Sequence, residues 1–402
     1  MAHIRKRHLL ATLRHLEKAS PLVGLLGHRQ VGKTTLLEQL AKNYVSLDDL
    51  GALELADKDP IRFLEVHGAP GTAIDECQLA PGLFPSLKER VRRNKRPGQY
   101  FLSGSVRFTS RKIIRESLTG RIMTEELLPF TLSELSHRDL PDHLLQLLAR
   151  NAFSASDVVE VPAGVHRARM KLVSLYLTQG GLPGVCFLRS EKLRRQRLEQ
   201  QLQTILSRDL RQVYATGLAL PRIMDFLRVL ALEEGRPVQY QAIRRATGIT
   251  PNTQKHLIRA LEATFILRIL PLEGDSSGEV YLLEDQGESH WISRGALSED
   301  QQWSGLVYRN LREQTQYQVG SDARYFQFRT RSGVEIPFAI EDSHGVLGVV
   351  PTLGVPTRSE RASAASFLRH YGRAKVLFVS KANFSHFYDS RVLCLPATHL
   401  LF

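Results

Sequence analysis

Cysteine is scarce in this sequence, and long apolar runs are missing. The three cysteines, Cys77, Cys186 and Cys394, are too few and too scattered for a disulfide framework or a clustered zinc site. We therefore expect reduced thiols and a cytoplasmic location. No apolar run approaches the ~18 residues that a membrane span needs, and the longest candidate, Gly345 to Val355, is interrupted by glycine and proline. The basic N-terminus leads into a helical pattern at residues 9–14 rather than a secretory signal, so we expect no membrane partner.

Acidic residues are too few to balance the basic ones. The chain has 54 Lys and Arg against 41 Asp and Glu, which gives a formal net charge of +13. Such an excess favours a polyanion such as nucleic acid, or an anionic membrane surface, over a neutral small molecule. Apolar residues at 43% and charged residues at 24% are ordinary for globular proteins and exclude wholesale disorder. A length of 402 residues predicts two or three domains.

Short apolar runs alternate with helical patterns through the first part of the chain. The strands predicted there are 21–26, 44–47, 72–74, 100–102 and 122–128, with helices between them that include 33–43 and 84–96. Strands that alternate with helices predict an α/β fold with a parallel sheet covered on both faces.

The second part of the chain has a different pattern of predicted helices and strands. Residues 162–218 are mostly helical and rich in arginine, and residues 219–285 are predicted to form a small separate unit. Its predicted elements are helices 222–233, 239–246 and 251–263, followed by strands 265–270 and 280–283. From about Trp291 we expect a helix and then strands at 325–329, 335–341, 346–350, 374–379 and 392–395.

One motif carries specific chemistry. The stretch Gly27-His28-Arg29-Gln30-Val31-Gly32-Lys33-Thr34-Thr35 matches the phosphate-loop pattern G-x-x-x-x-G-K-[ST]. Glycines let the backbone curl so that its N–H groups point at a β-phosphate, helped by the positive end of the following helix. Lys33 would place its charge on the β- and γ-phosphates, and the Thr34 hydroxyl can be a ligand of Mg²⁺. A glycine-containing strand-to-helix turn is the plainer alternative.

A phosphate loop predicts a second site, in which an apolar strand ends in an acid. The run Thr72 to Ile74 is followed by Asp75 and Glu76. Asp75 would hold Mg²⁺ through water, and Glu76 would act as the general base for the water that attacks the γ-phosphate. Two adjacent acids are often only a solvated turn, but their place at a predicted strand end favours the catalytic interpretation.

Two further polar elements follow the later strands. Ser103 or Ser105, at the end of strand 100–102, can act as a sensor between Asp75 and the γ-phosphate, although a Ser-Gly-Ser turn is an equally plain interpretation. Arg121 lies just before strand 122–128, where it can act as an arginine finger donated to a neighbouring subunit. A surface arginine is the alternative.

These motifs together resemble the bacterial and archaeal AAA+-type ATPases whose C-terminal region is an uncharacterised nuclease-like domain. The stretches that carry the resemblance are 27–35, Leu47-Asp48-Asp49, Asp75-Glu76-Cys77-Gln78, Ser103-Gly104-Ser105, 117–121, 128–135, Gly180-Gly181-Leu182-Pro183 and Ser207-Arg208-Asp209. His28 departs from the family, whose members often have proline there. Arg208 matches the family's Arg-Asp pair and can reach nucleotide or the lid, although it can also be a solvated charge.

The resemblance also implies the domain order. We expect a P-loop ATPase core at residues 1–160, a helical lid at 161–218, a winged helix at 219–285 and an α/β restriction-nuclease-like domain at 286–402. It implies ATP and Mg²⁺ as cofactors and a homo-oligomer.

The predicted helix 251–263 would be the second helix of a helix-turn-helix. Thr250 can cap its start, and Pro251 suits its first position. Four polar residues share its outer face, where they are suited to contact phosphates and base edges: Asn252, Lys255, His256 and Arg259. A winged helix used only for protein packing is the alternative.

The C-terminal region resembles the PD-(D/E)xK nuclease fold without its chemistry. The family's metal-binding Asp corresponds to Pro337, the later acid-x-Lys to Val350-Pro351-Thr352, and the helix acid to about Ser304. Only Glu335 remains, and one carboxylate does not make a site for a hard cation. We therefore predict a nuclease-like scaffold that does not cleave.

The sequence thus leads to two functional hypotheses. The first is a Mg²⁺-dependent ATPase that binds DNA and couples hydrolysis to conformational change or remodelling. The second is a nucleotide-dependent regulatory switch or protein-binding ATPase that does not act on DNA. A non-catalytic scaffold is disfavoured because Lys33, Thr34, Asp75 and Glu76 are all present.

Overall fold

The computed structural model describes residues 5–110, 112–118, 120–275, 278–318 and 322–402. Its first sheet has five parallel strands in the order β2-β3-β4-β1-β5. They are β1 (Leu22–Gly27), β2 (Asn43–Ser46), β3 (Thr72–Asp75), β4 (Tyr100–Gly104) and β5 (Ile122–Leu127). The first eight helices are α1 (Leu9–Ala19), α2 (Lys33–Leu40), α3 (Leu50–Lys58), α4 (Pro60–His67), α5 (Leu83–Arg93), α6 (Lys112–Leu118), α7 (Leu132–Leu135) and α8 (His143–Ala149). This arrangement confirms the predicted parallel sheet. Thr119, which belongs to the motif 117–121, lies outside the described residues.

Strand β1 is buried along its whole length because it lies between β4 and β5 and apolar side chains cover both of its faces. Its sequence is therefore a continuous apolar run rather than an alternating one. Leu22 packs into the core that contains Phe84, whereas Val23 packs into the core on the other face with Phe101. The carboxyl ends of β1, β3 and β4 share one edge of this sheet, so the segments that follow them meet there.

Two predicted boundaries of the first part need correction. The helix predicted over residues 33–43 ends at Leu40, because Ala41 is already extended, and Asn43 then begins β2. The helix predicted over 84–96 ends at Arg93, where Asn94 is extended. The hydrophobic pattern runs through both ends, so it does not indicate where the backbone leaves the helix.

Helices alone span the chain from Ala163 to Val213, as predicted. They are α9 (Ala163–Gln179), α10 (Pro183–Cys186), α11 (Glu191–Thr204) and α12 (Leu210–Val213), with a π-helical turn, Ile205–Asp209, between the last two. Helix α9 ends at Gly180, which has a φ of 68° and would meet Asp285 if it carried a side chain. The turn after α9 is therefore tightly fitted to a segment that comes more than a hundred residues later.

Three helices and a hairpin follow: α13 (Leu220–Leu232), α14 (Tyr240–Thr247), α15 (Pro251–Ala263), β6 (Leu267–Gly274) and β7 (Gly278–Leu283). The Thr250 side chain accepts a hydrogen bond from the Thr253 N–H, and Pro251 takes the first helical position, so the predicted start of α15 is confirmed. A single β-bridge, Pro237 with Val280, joins the segment between α13 and α14 to the hairpin.

The hairpin belongs to the C-terminal sheet, which corrects the prediction that residues 219–285 are a separate unit. Strand β6 pairs in parallel with β8, from Leu272–Gln327 to Gly274–Arg329. The resulting sheet has eight strands in the order β12-β13-β11-β10-β9-β8-β6-β7. A strand pattern in the sequence does not say which sheet the strand joins, because distant residues determine its partner.

The C-terminal elements enclose a large core. They are α16 (Gln286–Ile292), α17 (Glu299–Gln316), β8 (Arg324–Arg329), β9 (Glu335–Asp342), β10 (Gly345–Thr352), α18 (Arg358–His370), β11 (Lys375–Ser380), β12 (His386–Asp389), β13 (Val392–Pro396) and α19 (Ala397–Leu400). Helix α17 is buried along most of its length, and its Trp303 and Leu306 pack with Phe338 and Leu377 of the sheet. Within the described ranges, no helix combines the length and apolarity that crossing a bilayer requires.

Candidate nucleotide-binding site

The phosphate-loop motif lies between the end of β1 and the start of α2. Gly27 and Gly32 have φ angles of 148° and 102°, which L-amino acids with side chains rarely adopt. A Cβ on Gly27 would also lie 2.6 Å from the carbonyl oxygen of Leu127. The glycines are thus required by the backbone, as the motif predicts. Of the other loop residues, His28 and Val31 are buried, Arg29 is half-buried, and Gln30, Thr34 and Thr35 are exposed.

Lys33 is buried, and its ammonium group bonds to the loop itself. Nζ donates to the carbonyl oxygens of Gly27 and His28, each at 3.0 Å. Burial lowers the pKa of Lys33, while the nearby carboxylates of Glu76 and Asp75 partly oppose this. The ammonium group therefore lies inside the curve of the loop, where a phosphate group would compete with the two carbonyls for it.

Asp75 is the centre of a cluster of oxygen atoms. Its Oδ2 accepts hydrogen bonds from Thr34 Oγ1 at 2.6 Å and from the Tyr44 hydroxyl at 2.7 Å. Its Oδ1 accepts from the Ser103 hydroxyl and from the Glu76 N–H. Burial and the Asp75 carboxylate raise the pKa of Tyr44, so its hydroxyl remains a donor. Carboxylate and hydroxyl oxygens are the ligands that a hard cation such as Mg²⁺ prefers, so these residues fit such an ion.

Glu76 has a φ of 54°, in the left-handed region. Its Oε2 accepts hydrogen bonds from Gln78 Nε2 and, at 3.2 Å, from the Ser105 hydroxyl. The two predicted sensor residues thus contact different acids, Ser103 contacting Asp75 and Ser105 contacting Glu76. Strand β4 brings them there because it lies between β3 and β1. Their proposed sensor role stays a prediction.

Arg121 lies at the other end of the sheet. It directly precedes β5, whose first residue Ile122 is in register with Leu22, while Leu127 is in register with Gly27 beside the phosphate loop. The length of β5 therefore separates Arg121 from the loop of its own chain. An arginine finger at this position requires a second copy of the chain, which agrees with the predicted action in trans but does not test it.

Arg208 lies in the π-helical turn between α11 and α12. Its guanidinium group is 3.4 Å from Asp48 Oδ1 and 3.8 Å from Asp209 Oδ1, and Asp209 in turn pairs with Arg29 of the loop at 3.3 Å. The sequence left open whether Arg208 reaches nucleotide or the lid or is a solvated charge. Its described contacts are ion pairs that join the helical segment to the residues after β2 and, through Asp209, to the phosphate loop, and its role toward nucleotide stays a prediction. Asp209 is not among the predicted site residues, and its position next to Arg208 is the one feature of the sequence that indicates a contact with the loop.

Arg7 is another residue that sequence reasoning missed. Its guanidinium group is buried, donates to the Val31 carbonyl oxygen of the loop at 2.9 Å and also bonds to Leu128 O and Glu134. Next to it, His8 lies 2.8 Å from Glu313 of α17 and 2.8 Å from the carbonyl oxygen of Arg138. The basic N-terminal run gives no signal of this role, because basic residues at a chain start are usually solvated.

The polar face of α15 is exposed but partly engaged. Asn252, Lys255, His256 and Arg259 are all exposed. Arg259 forms ion pairs with Glu279 and Glu262. The His256 ring stacks on Tyr214 with 5.3 Å between the ring centroids, and Lys255 Nζ lies 5.5 Å from the Tyr240 ring centre. These contacts leave Asn252 and Lys255 as the residues of this face most available to an external partner.

The positions that correspond to the nuclease active site come together on one cleft of about 1440 Å³, which Lys255 and Arg259 also line. They are Ser304, Glu335, Pro337, Val350 and Pro351, whereas Thr352, at the position of the family's lysine, is buried and donates a hydrogen bond to Glu360 instead of lining the cleft. Glu335 pairs with Arg329 at 3.1 Å and accepts a hydrogen bond from Gln327. Within the residues that the structure describes, no three potential metal ligands approach one another in this cleft; the cluster that does is the buried group His8, Glu134 and Glu313.

Comparisons with known proteins agree with the first part of the fold. Residues 19–136 match a family model described as an AAA domain, and residues 170–276 match a domain of unknown function, DUF8612. Two uncharacterized proteins, Mb2031c of Mycobacterium bovis and Rv2008c of Mycobacterium tuberculosis, are each 25% identical over 99% of this chain and 85% of their own length.

Solved structures with some similarity include a Walker-type ATPase of Pyrococcus abyssi and AMPPCP-bound DnaA from Aquifex aeolicus. The first has a TM-score of 0.43 at 16% identity, with 72% of this chain and 96% of that chain covered. The second has a TM-score of 0.23 at 18% identity, with 63% and 85% covered. Scores this low carry no functional inference. Residues 19–136 thus combine a phosphate loop at the end of β1 and a five-stranded parallel sheet with a match to a family model described as an AAA domain.

Proposed function

We propose that this chain is a magnesium-dependent ATPase. The observation that carries the proposal is the meeting of Lys33, Thr34, Asp75 and Glu76 at the carboxyl edge of β1 and β3. Lys33 would bind the β- and γ-phosphates, and Glu76 would orient the attacking water. Thr34 and Asp75 would hold Mg²⁺, which when bound neutralises charge on the phosphate oxygens.

The test is release of phosphate from ATP by the full chain with Mg²⁺ present. We expect the Lys33→Ala variant to lose nucleotide binding or turnover, and the Glu76→Gln variant to bind ATP but not hydrolyse it. Lys58→Ala is the matched control, because Lys58 is an exposed lysine of the same domain that pairs with Glu54. Equal turnover by the Lys33→Ala variant and the parent would refute the proposal.

We propose further that the ATPase acts on DNA and that residues 219–285 bind it as a winged helix. Three helices, the bridge between Pro237 and Val280, and the hairpin follow one another in the winged-helix order. The net charge of +13 favours a polyanion. Mobility shifts with duplex, branched and single-stranded DNA at two salt concentrations test this. Lys255→Ala should weaken binding, whereas the control Lys58→Ala should not.

A regulatory switch that does not act on DNA is the second candidate, and a specific observation favours it. Arg259 is neutralised by Glu279 and Glu262, and His256 is stacked on Tyr214, so two of the four side chains proposed to contact DNA are engaged within the chain. If no DNA form binds or stimulates hydrolysis by an active parent protein, the switch replaces the DNA-acting enzyme as our conclusion.

For the C-terminal region we propose a nuclease-like scaffold that does not cleave. The order α17, β8, β9, β10, α18, β11 supports the nuclease-like fold, and the ion pair of Glu335 with Arg329 leaves that carboxylate compensated within the chain. Incubation with plasmid DNA and Mg²⁺ or Mn²⁺ should give no nicks. Metal-dependent nicking that Glu335→Ala abolishes would overturn this part.

Homo-oligomeric assembly also belongs to the proposal, with Arg121 of one copy completing the site of the next. Its support is the position of Arg121, at the far end of the sheet from the loop of its own chain. A cytoplasmic location is part of the same proposal. Mass measurement of the parent protein with and without ATP tests the assembly.

A further inference from the structure

His28, the second residue of the phosphate loop, is held by helices from outside the ATPase sheet. Its side chain is fully buried. Its Nδ1 lies 2.8 Å from the Arg29 carbonyl oxygen, and its Nε2 lies 3.2 Å from Oε2 of Glu288 in α16. Gln201 of α11 donates from Nε2 to the same Arg29 carbonyl at 2.9 Å. The loop is thus fastened to the helical segment and to the C-terminal half.

The negative charge of the buried Glu288 carboxylate is compensated by His28. The Glu288 side chain is 1% exposed, neither carboxylate oxygen accepts a hydrogen bond from the described residues, and His28 is its ion-pair partner among them. Burial lowers the pKa of His28, but the Glu288 carboxylate, the hydrogen bond to the Arg29 carbonyl and the Asp285 carboxylate together raise it, so the net shift of the pKa is upward, toward the charged form. A buried carboxylate without a cation is costly, so the two side chains hold each other in place.

Helix α16 connects this ion pair to two other parts of the chain. It begins at Asp285, whose carboxylate accepts hydrogen bonds from the N–H groups of Gly287 and Glu288, and also from Gly181 at 2.7 Å in the turn after α9. It follows β7 directly, and β7 is the last strand of the hairpin in the eight-stranded sheet. A movement of the hairpin therefore reaches Glu288 through a short and well-fixed helix.

We propose that Glu288 is a positioning residue for the phosphate loop: acting through His28, it lets the C-terminal half of the chain set the affinity of the loop for nucleotide. This inference rests on the proposed ATPase function.

The effect is expected in the loop because the His28 backbone is part of the phosphate-binding arrangement. Lys33 Nζ bonds to the carbonyl oxygens of His28 and Gly27, so a displaced His28 moves the ammonium group that would bind phosphate. Removing one partner of a buried ion pair also destabilises folding, whereas removing both leaves no uncompensated charge. The double variant therefore separates an effect on nucleotide affinity from an effect on folding.

The experiment compares four full-length proteins: the parent, Glu288→Gln, His28→Gln and the double variant. Affinity for the nonhydrolysable analogue AMPPCP with Mg²⁺ is measured by calorimetry, and kcat, KM and the melting temperature are measured alongside. Asp157→Asn is the matched control, because Asp157 is also a buried carboxylate paired with an arginine, Arg150, while its described hydrogen bonds come from Ser154 and not from the loop or α16.

We expect Glu288→Gln to raise Kd and KM about fivefold or more with a smaller change in kcat, and the double variant to be no weaker than either single variant. The control should change Kd less than about twofold. If Glu288→Gln does not fold, the double variant, which leaves no unpaired buried charge, is compared with the parent instead. Unchanged Kd in a folded variant, with a parent that binds, refutes this inference alone. A folded parent that does not bind refutes the proposed function.

Discussion

Thr34 Oγ1 donates a hydrogen bond to Asp75 Oδ2 at 2.6 Å, although 41 residues separate the two along the chain. The contact exists because β1 and β3 are parallel strands of one sheet, so the segments after both strands lie at the same edge. It brings together a hydroxyl and a carboxylate, the oxygen ligands that the proposed magnesium ion would use.

Replacing this carboxylate should remove hydrolysis. We expect Asp75→Asn to lower kcat about a hundredfold or more, because the neutral amide binds Mg²⁺ more weakly and loses several kcal/mol of charge stabilisation. Nucleotide binding measured without Mg²⁺ should change little. Hydrolysis rates over a range of Mg²⁺ concentrations provide the check. A kcat equal to that of the parent at moderate Mg²⁺ would contradict the proposed role of Asp75.

Tyr44 lies outside the phosphate-loop motif, and we expect it to raise the affinity of the site for Mg²⁺ by orienting the Asp75 carboxylate. Tyr44→Phe removes the hydrogen bond to Asp75 Oδ2 and should raise the Mg²⁺ concentration for half-maximal hydrolysis about tenfold. Tyr100→Phe is the matched control, because its hydroxyl donates to the Gly68 carbonyl in the core. If both variants show the parent's Mg²⁺ dependence, Tyr44 does not position the carboxylate.

Arg121→Ala should impair hydrolysis only where copies of the chain meet. We expect a loss of about a thousandfold in the assembled protein if the guanidinium group stabilises the transition state of a neighbour. Nucleotide affinity should stay near that of the parent. Mixing the inactive Arg121→Ala and Lys33→Ala variants should restore part of the activity. No restoration in mixed assemblies, or an Arg121→Ala variant as active as the parent, would exclude action in trans.

A prediction independent of nucleotide concerns Glu125 on the edge strand β5. Burial raises the pKa of Glu125 to about 7 from its ordinary value. Between that ordinary value and pH 7 the folded protein therefore binds more protons than the unfolded chain, and its stability falls as the pH rises. Glu125→Gln should melt at a higher temperature than the parent at pH 8, with the difference disappearing near pH 4. A difference that stays constant with pH would contradict this.

The parts of the site that lie on a motif could be predicted from the sequence, since their chemistry requires particular residue types at short spacing. Lys33, Thr34 and the pair Asp75-Glu76 are such residues. Tyr44, Arg7 and Glu288 could not be predicted in the same way. Each lies outside the motifs and is of a residue type that is common in other contexts, so only the packed structure shows which group it contacts.

In the fold, too, the features that depend on local sequence patterns are predictable, whereas contacts between distant segments are not. Alternating apolar runs and helical patterns predicted the strands of the first sheet because each is a local signal. The joining of β6 to β8 was missed, because strand pairing between distant segments leaves no local pattern. For the same reason, no local pattern predicts that Glu279, on the hairpin, forms an ion pair with Arg259 on the helix predicted to bind DNA.

Calorimetric titration of the purified, folded protein with ATP and Mg²⁺ tests the central claim most directly, with the Lys33→Ala variant titrated in parallel. We predict saturable binding to the parent and none to the variant, because the buried ammonium group of Lys33 is the principal cation of the loop. Absence of binding of both adenine and guanine nucleotides to the folded parent would contradict the proposal that this site binds and hydrolyses nucleotide.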